Sequence, residues 1–299
     1  MMRTVRLSGD MISAIAVRSE RFPGTVLLNV IERGPEGSAS GRPPVVFLHG
    51  LFGRGRNFGF FQRSLSATYR TLALDLRNHG DSPHGPMDYP TLAADVRETL
   101  AAHNALPAIV IGHSMGGKTA MMLALTAPAD VVALMVADIA PGEGGLAHTQ
   151  DIAQGLVALP MPASLDLSGA AAWMAPVVRD KAVRDLMIQN LQLGEHPRWR
   201  IGLREIRDAL DTIVGWPALP QGTHYDGPTL FVAGGESRYI QPENYPEMRR
   251  LFPHYRLEVI PGAGHWLHAQ KPKEFLAITE QFVSSVQDRT SPSQVQTQD

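Results

Sequence analysis

The chain has 299 residues, with 27 Lys and Arg against 29 Asp and Glu, no cysteine, 23 prolines and 28 glycines. A formal net charge of −2 leaves no basic footprint for nucleic acid. The absent cysteines exclude a disulfide scaffold, a thiol nucleophile, thiolate zinc sites and iron–sulfur clusters.

In chain order, the N-terminal segment carries Arg3, Arg6, Arg18 and Arg21, the charges of an organelle transit peptide, but Asp10 and Glu20 interrupt them. Its apolar run is too short for a signal peptide, and no stretch approaches the roughly 18 apolar residues that cross a bilayer. The reading is a cytoplasmic protein without a membrane span; a mitochondrial location stays open. Met11 to Val17 and Thr25 to Ile31 are expected as antiparallel strands at one sheet edge.

Four short apolar runs follow: Val45 to Leu48, Thr71 to Leu74, Ala108 to Ile111 and Val131 to Val136. Thr229 to Val232 and Leu257 to Ile260 add two more much later. Continuous apolar runs suit strands covered on both faces, as in a parallel sheet. Between them, Leu92, Val96 and Leu100 mark one face of a helix. Phe275, Ile278, Phe282, Val283 and Val286 mark a terminal helix that Pro272 can start. Strand and helix alternate, which predicts an α/β fold with a mostly parallel open sheet. The rhythm breaks between Asp138 and Thr229, where the pattern is helical with no strand. A structureless loop of that length is improbable, so an inserted helical cap is expected over 142–226. The core is then 1–141 with 227–289, and 290–299 is a polar tail expected to be disordered.

The strongest chemical signal is Gly112-His113-Ser114-Met115-Gly116-Gly117, between a strand and a helix-prone stretch. This is G-x-S-x-G in the context that holds a serine hydroxyl proud of a sheet, so Ser114 is the expected nucleophile. Its base should return to the same sheet edge. His265, in Gly262-Ala263-Gly264-His265-Trp266 after the last strand, meets that demand; His268, His113 and His49 fit it less well. For the acid that orients His265, two carboxylates qualify. Asp138 ends the buried run after the nucleophile helix, and Glu236 lies in Gly234-Gly235-Glu236-Ser237. Asp138 is preferred and Glu236 remains the alternative. The oxyanion needs two backbone donors, expected at Met115 and at Leu51 in His49-Gly50-Leu51-Phe52-Gly53. The loop from Asp75 to Ser82 reads as a bracing polar network. Gly53, Gly55 and Gly59, with Asp75 about twenty residues on, imitate a dinucleotide fingerprint, but the spacing has one residue too many. His265 and His268 have no third ligand for a metal, so neither cofactor nor metal is expected. Met161, Trp173, Met174, Met187, Trp199 and Trp216 should form mainly the cap's own core, with some of them candidates for an apolar cleft wall.

With these motifs in place, the chain resembles the α/β-hydrolase fold over nearly its whole length. More narrowly it resembles the YbfF-type esterases and their mitochondrial α/β-hydrolase-domain relatives. The likeness rests on His49 to Gly53, Arg77-Asn78-His79-Gly80, Gly112 to Lys118, Asp138-Ile139-Ala140-Pro141, Gly234 to Ser237 and Gly262 to Ala269. It departs in the extra residues before Val45. The resemblance implies hydrolysis of carboxylic esters or acyl-thioesters, with the acid at Asp138. The expected function is a cofactor-independent serine hydrolase for small to medium acyl groups. Perhydrolysis or carbon–carbon bond hydrolysis by the same triad, or a ligand receptor on the same scaffold, are the alternatives. Oligomeric state is not legible.

Overall fold

The structure is a computed structural model that describes residues 24–35, 41–143 and 147–290. The arginine-bearing N-terminus, the expected strand at Met11 to Val17 and residues 291–299 of the tail lie outside the described residues.

Seven strands form the main sheet among the described residues: β1 (Val30–Arg33), β2 (Val45–Leu48), β3 (Thr71–Leu74), β4 (Ala108–His113), β5 (Val131–Ala137), β6 (Thr229–Gly234) and β7 (Tyr255–Ile260). Their spatial order is β1-β3-β2-β4-β5-β6-β7. β2 to β7 run parallel and β1 pairs antiparallel with β3. Strands β2 to β4 and β6 are buried at every position. That explains why they read as unbroken apolar runs. The edge strand begins at Val30 rather than at Thr25. Ahead of it the backbone bonds to side chains instead of a strand: Val26 N–H donates to Asp95, Leu28 N–H to Thr99 and Asn29 N–H to Ser82.

The helices are α1 (Gly59–Leu65), α2 (Tyr89–Ala102), α3 (Met115–Thr126), α4 (Ala147–Ala158), α5 (Leu167–Met174), α6 (Lys181–Ile188), α7 (Leu203–Val214), α8 (Tyr245–Leu251), α9 (Leu267–Gln270) and α10 (Pro272–Thr290). On one face of the sheet, Phe47, Ile109, Ile111 and Met135 pack against Phe61 of α1 and Phe275 and Phe282 of α10. On the other, Val46, Leu48, Val110 and Leu134 meet Leu92, Val96 and Leu100 of α2 and Met121 and Ala124 of α3. Helices cover both faces, so function is confined to the sheet's ends. The chain leaves β2 toward β3 and then crosses back to β4, on the other side of β2. That reversal opens a crevice beyond the C-terminal ends of β2 and β4.

Helices α4 to α7 occupy the segment between β5 and β6. Met174 and Met187 are fully buried there, Trp173 and Trp199 lie 6.0 Å apart, and Trp216 packs on Tyr89 of α2 at 5.8 Å. The segment also holds two ladders that the helical pattern did not reveal, Ser164–Leu165 with Gly194–Glu195 and Leu191–Gln192 with Arg198–Trp199. Each strand of these ladders is two residues long, too short to leave a period in the sequence.

Candidate active site

Ser114 stands between β4 and α3 with φ 52° and ψ −118°. A non-glycine residue in the left-handed region costs about 1–3 kcal/mol and persists only where its surroundings hold it. Here two bonds hold it: Ser114 N–H donates to Ala137 O at 3.0 Å, and Ser114 O accepts from Lys118 N–H at 3.0 Å. The turn also needs glycine on both sides. A Cβ on Gly112 would sit 2.2 Å from Gly116 O, and one on Gly116 would sit 2.3 Å from Leu48 O.

His265 follows β7 on the loop before α9. Its Nε2 lies 3.0 Å from Ser114 Oγ and its Nδ1 lies 2.8 Å from Asp138 Oδ2. Because a carboxylate only accepts, the Nδ1 carries the proton and Nε2 presents a lone pair to the serine hydroxyl. Asp138 is fully buried at the end of β5, with φ 52°. Its carboxylate is nonetheless satisfied: Oδ1 accepts from Gly234 N–H at 2.9 Å, and Oδ2 accepts from Ser237 Oγ as well as from His265. The structure therefore brings Ser114, His265 and Asp138 into one connected line. Glu236 is exposed, its backbone N–H bonded to Ala263 O at 2.9 Å, and no bond joins its side chain to His265 among the described residues. The neighbouring Ser237 is the residue of that turn which reaches the line.

Two further contacts on His265 had no sequence signal strong enough to find them. The Tyr239 ring stacks on the imidazole, with centroids 3.7 Å apart and planes 14° from parallel. Burial, with the Asp138 charge nearby, raises the Tyr239 phenol above its ordinary value, so it stays neutral. His113 donates from Nε2 to the His265 carbonyl at 2.8 Å, and burial pulls its imidazolium well below the usual range. His268 packs between Phe58 at 5.5 Å and His113 at 4.4 Å, with burial lowering it to about 4.

The loop after β2 carries Leu51. Gly50 O accepts from Gly53 N–H at 2.9 Å and from His49 Nδ1–H at 2.8 Å. In a trans peptide the C=O and N–H point oppositely, so these bonds aim the Leu51 N–H away from His49. His49 Nε2 accepts from Leu76 N–H at 2.9 Å, which requires a neutral ring; burial lowers its pKa accordingly. Neither Leu51 N–H nor Met115 N–H donates to a protein acceptor among the described residues.

Around this loop the Asp75 to Ser82 segment is braced. Asp75 accepts from Gly55 N–H at 2.7 Å, Asn29 Nδ2 at 2.8 Å and Asp81 N–H at 3.0 Å. Arg77 and Asp95 form a buried two-bond pair at 2.7 Å each. His79, lowered to about 3 by burial, accepts from Phe52 N–H at 3.1 Å. Gly55 and Asp75, the middle glycine and the acid of the apparent dinucleotide motif, thus bond to each other.

A cavity of about 550 Å³ opens over Ser114 and His265. The core contributes His49 to Gly53, His113, Tyr239, Trp266 and His268; the inserted segment contributes Ile152 of α4 and Ala182, Val183, Asp185 and Leu186 of α6. None of the six large residues singled out in that segment of the sequence lines it; the apolar side chains that the segment contributes are aliphatic. No group of three or more His, Cys, Asp or Glu side chains among the described residues could hold a metal ion. Nor is any described helix long and apolar enough to cross a membrane.

This geometry agrees with what the chain is similar to. Residues 43–272 match the alpha/beta hydrolase fold family. The chain is 38% identical over 251 residues to the sn-1-specific diacylglycerol lipase ABHD11 of Mus musculus, covering 81% of each chain. It is 35% identical over 242 residues to esterase YbfF of Escherichia coli (strain K12), covering 81% of this chain and 93% of the other. Among solved structures, a marine microorganism esterase superposes with a TM-score of 0.78 at 32% identity, over 86% of this chain and 100% of that one. The chain belongs to the α/β-hydrolase fold family and is a hydrolase.

Proposed function

We propose that the protein hydrolyses carboxylic esters of small to medium acyl groups, and acyl-thioesters as a second class, through an acyl-enzyme on Ser114. The observation that carries this reading is the unbroken line from Ser114 Oγ through His265 to Asp138, at 3.0 and 2.8 Å, opening into an apolar-walled cavity. Ser114 Oγ attacks the acyl carbon while His265 Nε2 takes its proton. Asp138 keeps the imidazole in the required tautomer and stabilises the imidazolium, which the neutral Tyr239 ring also faces. The N–H groups of Leu51 and Met115 receive the oxyanion. His265 returns the proton to the leaving alcohol or thiol, and water repeats the sequence to release the acid. No cofactor takes part. The segment 142–226 acts as a cap whose aliphatic side chains hold the acyl chain. The lipase and esterase names of the relatives support ester chemistry.

An acyl-chain-length series of p-nitrophenyl esters, run beside acyl-thioesters, tests this. Turnover should be greatest for small to medium chains, and a fluorophosphonate should label the protein once, at Ser114. Binding without turnover of any ester or thioester would replace this reading with the receptor alternative.

A further inference from the structure

The carbonyl and amide groups behind Leu51 form a hydrogen-bonded chain, and its first donor comes from the inserted segment. Asn190, which follows α6 and is 1% exposed, donates from Nδ2 to Phe52 O at 2.7 Å. Phe52 O belongs to the same peptide group as Gly53 N–H. That N–H donates to Gly50 O at 2.9 Å, and Gly50 O shares its peptide group with Leu51 N–H. Each bond in such a series orients and polarises the next. Phe52 itself sits at φ 61°, a conformation that a bulky side chain keeps only under external restraint. His79 restrains it through the N–H and Asn190 through the C=O.

The Asn190 side chain is poorly explained as packing. Its Oδ1 is buried and accepts no hydrogen bond from any described residue, so an apolar isostere would suit the site better. What the amide delivers is two bonds from one nitrogen, to Phe52 O and to Leu186 O at 3.2 Å. Leu186 lines the cavity. One buried NH₂ group thus joins the helix that walls the acyl pocket to the loop that carries the oxyanion donor.

We infer that Asn190 is a positioning residue for the oxyanion hole, through which the inserted segment sets the Leu51 N–H. This rests on the proposed role of Leu51. When the segment is seated, the donor is aimed and polarised; when it lifts, the chain of bonds loses its origin.

The test uses two near-isosteric variants that cannot make the bond at neutral pH, Asn190→Leu and Asn190→Asp, together with Arg198→Gln. Arg198 pairs with Gln192 on the exposed side of the same segment. Each is assayed on an ester and on its thionoester, whose sulfur draws less from an oxyanion hole. Both Asn190 variants should lose about tenfold in kcat with KM within about twofold, less than the hundredfold or more of a missing donor. Their oxoester-to-thionoester rate ratio should fall severalfold. That ratio does not depend on how much protein is folded, so partial unfolding cannot imitate the result. Unchanged ratios, or an equal fall in Arg198→Gln, would overturn the inference. A wild-type protein that hydrolyses neither ester would instead remove the proposed function on which it rests.

Discussion

The two walls of the cavity are made by different means. On the core side, positions are set by backbone: Ser114 and Asp138 at positive φ, a Gly112 and a Gly116 with no room for Cβ, and peptide groups tied by bonds such as Gly53 N–H to Gly50 O and Ser114 N–H to Ala137 O. On the inserted side, the wall is made by side chains of α4 and α6, mostly aliphatic with Asp185 among them, held to the core by a few buried ties. Asn190 reaches Phe52 O, Gly202 N–H reaches Asn78 O at 2.9 Å, and Lys118 of α3 grips the start of the segment and the end of its last helix, α7. Its Nζ donates to Gly142 O at 2.7 Å, Gly215 O at 2.9 Å and Val214 O at 3.1 Å. Burial lowers that ammonium to about 8, so it is charged at neutral pH and uses all three donors. Rigid backbone suits a reaction that tolerates little displacement, and exchangeable side chains suit the proposed choice among acyl groups.

If this division is right, changes on the two walls should differ in kind. The largest effect belongs to the proposed nucleophile: Ser114→Ala should lower ester turnover by about 10⁴ to 10⁶-fold in a protein that remains folded by circular dichroism. Next comes the pair of carboxylates. Asp138→Asn keeps the shape but offers His265 the wrong hydrogen-bonding pattern, and kcat should fall by up to about 10⁴-fold. Glu236→Gln should change it by less than about tenfold, because an exposed carboxylate contributes little. The reverse ranking would move the acid to the turn after β6.

Across the cavity, Leu186→Trp should raise KM for the longer acyl esters by about tenfold and leave the acetyl ester within about twofold. A uniform loss of kcat for all chain lengths would erase the distinction between the walls. A different kind of effect, on stability and not on turnover, concerns acid. Burial lowers the pKa of His49, His79, His113 and His268, to about 3 for His79 and about 4 for His268. In the unfolded chain each titrates near 6.5, so below that pH the unfolded state binds more protons. Stability is complete above about pH 6.5 and falls as pH drops toward the folded values, by up to about 1.4 kcal/mol per pH unit per histidine. His268→Phe, which preserves the ring packing, should flatten the slope by about one histidine's share in denaturant titrations between pH 4.5 and 7.

The same contrast decides what could be read from the amino-acid order. Strands buried on both faces must be apolar throughout, so β2 to β6 were visible as runs. The serine turn requires its glycines, so the place of Ser114 between strand and helix is legible in the amino-acid order. His265 and Asp138 followed from their positions at strand ends, and the structure brings both within hydrogen-bond distance of the line from Ser114. What stayed hidden depends on tertiary contact alone. Tyr239 is one turn residue among several until its ring is seen against His265. Nothing local marks Asn190 as the partner of a peptide 138 positions away. In the insertion, the large aromatic and Met side chains are expected mainly as the segment's own core, and Met174 and Met187 are buried there, but which smaller side chains on α4 and α6 line the cavity is not legible. An amphipathic helix declares that it has an apolar face, not which neighbour that face meets.

In the proposed mechanism an acyl group passes through Ser114. The most direct measurement is acid quenching of the protein during steady-state turnover of a p-nitrophenyl ester, followed by peptide mass spectrometry. One acyl adduct is expected, on the peptide containing Ser114, with its occupancy raised in the pre-steady-state burst and absent from Ser114→Ala. Turnover with no adduct at any time, or an adduct on another residue that persists in Ser114→Ala, would contradict it.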